Sequence, residues 1–148
     1  ARTFSKAYSL CFQRVGYVVG HPALIAALDT IRDSYNVNGL GQIAAVATLA
    51  HLPYYRRNFA RIVATRKRLT RALEALGFQV LPSQTNFILT KPPRFAAKVW
   101  LQRLRARKIL VRWFGAPDVN DYLRITIGTN AEADALIRAA TSILRARR

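Results

Sequence analysis

Lys6 follows two hydroxyl residues, Thr3 and Ser5, and precedes Arg14 by eight positions in the segment TFSKAYSLCFQRVGY, residues 3–17. A lysine amine that can shed its proton is a nucleophile toward an aldehyde, and burial or a neighbouring cation favours that loss. Arg14 is such a neighbour in the sequence. Taken singly, these residues also fit a surface lysine and an arginine at the start of a strand. Arg124 gives a second signal, because it interrupts an otherwise apolar Tyr-Leu-Arg-Ile-Thr-Ile pattern. An unpaired charge is costly there, so Arg124 is expected to face a pocket that holds an anion. Arg112 either supplies a second contact to that anion or points into solvent at a strand end.

The elements that would position these residues follow from apolar periodicity. Residues 14–20, RVGYVVG, read as a buried strand directly after the Lys6 loop. Pro22 suits a first helical position, and Leu24, Ile25, Leu28 and Ile31 continue a helical spacing to about Tyr35. After an Asn/Gly turn, residues 42–52 form a helix apolar on nearly all sides, expected to be buried or at a subunit interface. From Pro53 a long amphipathic helix buries Ile62, Leu69 and Leu73. Its opposite face carries Arg56, Arg57, Arg61, Arg66, Lys67 and Arg71, and Gly77 is placed to end it in a left-handed cap. Short strands are expected at residues 78–81, 86–89, 109–112 and 122–127, with helices at 95–107 and 132–145. The order is strand, three helices, two strands, helix, two strands, helix, so the second half is an α+β layer.

The Lys6 segment resembles the active-site segment of fold-type-I, pyridoxal-phosphate-dependent aminotransferases, in the class-II branch of the histidinol-phosphate aminotransferase family. Further pieces stand in the order of that family: YNVNGLGQIAA, LPSQTNFIL, ILVR and YLRITIGT. The resemblance covers essentially the whole chain. It implies the carboxy-terminal part of an α/β, aspartate-aminotransferase-like fold, with residues 1–52 ending the large cofactor domain and 53–148 forming the small α+β domain.

By the same resemblance, Lys6 holds pyridoxal 5'-phosphate covalently and then serves as general base and acid. Arg14, Ser5 and Thr3 hold the cofactor phosphate, for which a guanidinium fork and hydroxyl donors suit a dianion. Arg124 binds the acidic group of the substrate, Arg112 adds a contact, and Asn86 is a polar residue of the substrate pocket. The implied reaction is histidinol phosphate with 2-oxoglutarate, in histidine biosynthesis and in a cytoplasmic homodimer. Aromatic or other amino-acid transamination is the alternative, and a phosphoamino-acid decarboxylase is a further relative. The run Ser9-Leu10-Cys11-Phe12-Gln13-Arg14 departs from the Gly- and Ala-rich pattern of the family, and Phe12 stands where a small residue is usual. The family's ring-nitrogen carboxylate and stacking aromatic precede the lysine, so this stretch alone is expected to be inactive, as a processed or truncated piece of a longer chain.

Composition bounds the other classes. The 148 residues are 51% hydrophobic, which excludes a disordered polar chain. The apolar run at 43–52 is far shorter than a membrane span, and no signal-peptide pattern opens the chain. Cys11 is the single cysteine, and with two histidines it offers no disulfide and no structural metal spacing. A net charge of +17 keeps a basic nucleic-acid-binding module open as the reading from a different class. Against it, the arginines are scattered through helical segments without the interleaved aromatics of a stacking platform, so nucleic acid is not the expected partner.

Overall fold

The computed structural model describes residues 1–146 and divides into two compact units, Ala1–Phe59 and a second from Ala60 onward. In the first unit, β1 (Arg2–Thr3) pairs antiparallel with β2 (Gly16–Tyr17), with a 3-10 turn at Cys11–Gln13 between them. Helices α1 (Pro22–Ile31) and α2 (Gly39–Ala50) follow, and α3 (Leu52–Ala75) continues from there into the second unit. His21 caps α1 through Nδ1, which accepts from the Ala23 amide, and Asn38 Oδ1 caps α2 by accepting from the Gly41 amide at 2.7 Å.

One expectation for this unit is corrected. The strand expected to be buried over residues 14–20 pairs only at Gly16 and Tyr17, and Tyr17, Val18 and Val19 are exposed because a two-stranded ribbon has no second layer over this face among the described residues. Helix α2 is buried on one face, through Gly41, Ala45 and Thr48, while Leu40, Ile43, Val46 and Leu49 form an exposed apolar face.

The second unit contains a four-stranded antiparallel sheet in the order β3-β4-β6-β5, made of Gln79–Val80, Phe87–Lys91, Leu123–Thr126 and Arg112–Trp113. One sheet face is apolar: Ile88, Leu123 and Ile125 are buried and pack with Leu69 and Leu73 of α3. Trp100 and Leu104 of α4 (Ala97–Arg105), and Leu136, Ala140 and Ile143 of α5 (Asn130–Arg145), complete this core. The alternation in β4 and β6 aims Phe87, Leu89 and Arg124 at the opposite face. Helix α3 ends at Gly77, whose φ of +85° is the left-handed cap conformation expected from its position.

Helix α5 begins two residues earlier than its periodicity suggests. Thr129 and Glu132 form a reciprocal capping box there. Hydrogen bonds from the Thr129 amide and hydroxyl hold the Glu132 carboxyl below its ordinary pKa. The contribution of this cap is therefore complete above the ordinary carboxylate range and is lost as pH falls through the lowered value.

Candidate active site

Phe4 and Val15 are buried in the small core of the first unit with Ala45, and the Phe4 amide donates to the Val15 carbonyl at 3.1 Å. These contacts pin both ends of the Lys6 loop. Inside it, the Leu10 amide donates to the Phe4 carbonyl and the Ser9 amide to the Lys6 carbonyl, so the chain doubles back on itself. Helix α2 closes on the loop at Gly41, where a Cβ would lie 2.6 Å from Val15 Cγ2. That approach accounts for glycine at position 41.

Arg14 then adopts a left-handed backbone, φ 53°, uncommon for a residue with a side chain and often tied to function. Its guanidinium turns back toward the start of the loop. Nη1 donates to Ser5 Oγ at 3.3 Å and to the Cys11 carbonyl at 2.8 Å, while Thr3 Oγ1 accepts from the Ser5 amide at 3.1 Å. Thr3, Ser5 and Arg14 are thus brought together beside Lys6, which is exposed. No carboxylate pairs with Arg14 among the described residues. One guanidinium and two hydroxyls with no carboxylate partner among the described residues make a cluster that can take an anion, and Ser5 of that cluster directly precedes Lys6 in the chain. Phe12, the unusual residue of this loop, is 92% exposed and points away from its small core.

In the second unit, Arg112 and Arg124 are direct cross-strand partners in the β5–β6 ladder. Arg124 is half-buried, Arg112 is exposed, and the carbon at the centre of the Arg124 guanidinium lies 5.4 Å from the ring centroids of both Phe87 and Phe114. Arg124 Nε is buried with no hydrogen-bond partner. Asn86 is exposed at the head of β4, and its carbonyl accepts from the Ile127 amide at 2.8 Å, three residues beyond Arg124. A separate concavity of about 430 Å³, lined in part by Lys108, Leu110, Gly128 and Glu132, contains none of the candidate residues.

Arg66 is the residue that sequence periodicity misplaces. It was expected on the solvated face of α3, yet it is 8% exposed. Its Nη1 donates to the Thr85 carbonyl at 2.5 Å and Nη2 to Gln84 Oε1 at 3.5 Å, so the segment before β4 covers it. Arg66 thereby holds the loop that leads to Asn86. Arg66→Ala is expected to lower stability by about 1.5–3 kcal/mol, the worth of a hydrogen bond from a charged group. Urea unfolding would register this, and a midpoint equal to the native one would contradict the role.

The family model for aminotransferase class I and II matches residues 1–139. A histidinol-phosphate aminotransferase of Microcystis aeruginosa is 42% identical over 144 residues, and one of Synechocystis is 43% identical over 143. Each match covers 97% of this chain, which spans about 41% of the length of these curated relatives. The crystal structure of histidinol-phosphate aminotransferase from Sinorhizobium meliloti in complex with pyridoxal-5'-phosphate superposes with a TM-score of 0.83 at 34% identity. That match covers 97% of this chain and 40% of the other.

Proposed function

The chain belongs to the aminotransferase class I and II family, and from that premise we propose that it supplies the cofactor lysine and the substrate-anion arginines of a pyridoxal-phosphate-dependent aminotransferase. Its fold is that of the carboxy-terminal part of fold-type-I aminotransferases. In this reading, residues 1–52 end the large domain and residues 53–148 form the small one. The whole protein transfers an amino group between histidinol phosphate and 2-oxoglutarate, and the chain alone is inactive.

The observation that carries the reading is the contact of Arg14 with Ser5, the residue that directly precedes Lys6 in the chain. The cluster fits a phosphate dianion, since it combines a guanidinium with the hydroxyls of Ser5 and Thr3 and has no carboxylate partner among the described residues. When bound, pyridoxal 5'-phosphate supplies an aldehyde for attachment and a ring that draws electrons from the substrate carbon. Lys6 Nζ would be the attachment point, and once displaced it would carry the proton between the substrate carbon and the cofactor carbon. Arg14 and Ser5 fix the phosphate so that the reacting atoms stay within reach of that amine. Arg124 and Arg112 bind the acidic group of the substrate, and Asn86 contributes a polar contact.

The exposed apolar face of α2 supports a homodimer, or cover by further chain, since contiguous apolar patches mark interaction surfaces. No described helix is long and apolar enough to cross a membrane. The excess basic charge is read as a solvated surface.

Substrate choice separates this reading from the aromatic alternative. With 2-oxoglutarate as acceptor, the full-length protein is expected to show a kcat/KM for histidinol phosphate at least about tenfold above that for phenylalanine. Both donors offer the arginines an anion, but a phosphate dianion carries more charge than a carboxylate, and a difference of about 1.4 kcal/mol gives that margin. A preference for phenylalanine would replace histidinol phosphate as the substrate.

A further inference from the structure

We infer that Phe114 is a positioning residue that braces Arg112 and Arg124 as a pair, an inference that rests on the anion-binding reading of those two arginines. Their register is the starting point. Arg112 stands directly opposite Arg124 across the β5–β6 ladder, so both side chains leave the same face of the sheet. Like charges in that position repel, and no carboxylate pairs with either arginine among the described residues.

Phe114 lies two residues beyond Arg112 and close to both cations. The central guanidinium carbon of Arg112 is 5.3 Å from the ring centroid of Phe114, and that of Arg124 is 5.4 Å away. One ring therefore serves two cations, and the negative potential of its face offsets part of their repulsion. Phe87, on β4, contacts Arg124 at 5.4 Å, so the Arg124 guanidinium touches two aromatic rings.

The unpartnered Arg124 Nε shows what this contact replaces. A buried guanidinium N–H ordinarily finds an acceptor, yet here the side chain is held by aromatic rings and its Nε bonds to nothing among the described residues. Stacking leaves the donors free for an incoming anion, whereas a carboxylate partner would occupy them and neutralise the charge. Phe114 thus keeps two arginines close, oriented and unneutralised. Leucine at this position would fill much of the space without attracting a cation, while tyrosine would keep the ring.

The test uses the full-length protein with 2-oxoglutarate as the varied substrate, because both candidate amino donors share that acceptor. Phe114→Leu is expected to raise KM about 5- to 30-fold and to leave kcat within about twofold, as loss of two cation–π contacts would do. Phe114→Tyr is expected to restore KM to within about threefold of native. Arg124→Ala, measured in parallel, is expected to raise KM at least as far as Phe114→Leu. If Arg124→Ala raises KM and Phe114→Leu does not, the bracing role is overturned and the arginine assignment stands. Native KM in both variants overturns both. A Tyr variant no better than the Leu variant also overturns the proposal, because it would assign Phe114 a shape-filling role alone.

Discussion

In the full-length protein, Lys6→Ala is expected to lower kcat by at least about 10²- to 10⁴-fold, the range attributed to a positioned proton-transfer group. Loss of covalent attachment would add to that figure, because the proposal gives the same amine both cofactor attachment and proton transfer. Lys6→Arg keeps the charge at an exposed position but cannot be deprotonated, so it is expected to be as inactive as alanine. Steady-state kinetics with saturating cofactor checks both variants. The core of the first unit is formed by Phe4, Val15 and Ala45 rather than Lys6, so folding should be preserved in each. A Lys6→Ala protein within tenfold of native kcat would contradict the assignment.

The largest stability effect is expected at Trp100. Its side chain is fully buried in the core of the second unit, edge-on to Phe78 with ring centroids 4.9 Å apart, and Nε1 donates to the Pro93 carbonyl at 2.9 Å. Trp100→Ala removes the largest side chain of that core and one of two donors to the Pro93 carbonyl, which keeps the Phe95 amide. The expected loss is about 3–5 kcal/mol, enough to consume much of the stability of a domain of this size. Trp100→Phe keeps a ring against Phe78 and should lose less. Far-UV circular dichroism through a urea titration follows the change independently of tryptophan emission. A native midpoint for Trp100→Ala would show that Trp100 does not hold this core together.

Much of the second unit is legible in the amino-acid pattern because its signals are local. Gly77 marks the left-handed end of α3, and alternation in Phe87–Lys91 and Leu123–Thr126 identifies the central strands. The start of α5 was missed by two residues, although the Thr-x-x-Glu spacing of Thr129 and Glu132 could have located it. The first unit is less legible because its ordering contacts are long-range. Nothing periodic announces that Arg2 pairs with Tyr17 or that a 3-10 turn occupies Cys11–Gln13.

The candidate residues follow the same division. Lys6, Ser5 and Arg14 stood out through motif order, and folding supplied the fact that Arg14 curls back onto Ser5. Arg66 looked solvated because helical periodicity says nothing about a loop that later covers one edge of the helix. Phe114 carried no signal alone. Its position two residues after Arg112 gains meaning once the register sets Arg112 against Arg124.

The most direct test of the central claim is the absorbance spectrum of the full-length protein with added pyridoxal 5'-phosphate, native beside Lys6→Ala. The account predicts a visible band of lysine-bound cofactor that survives gel filtration in the native protein and is absent from the folded variant. A native protein without that band, or a band unchanged in Lys6→Ala, would contradict the claim that Lys6 is the cofactor lysine.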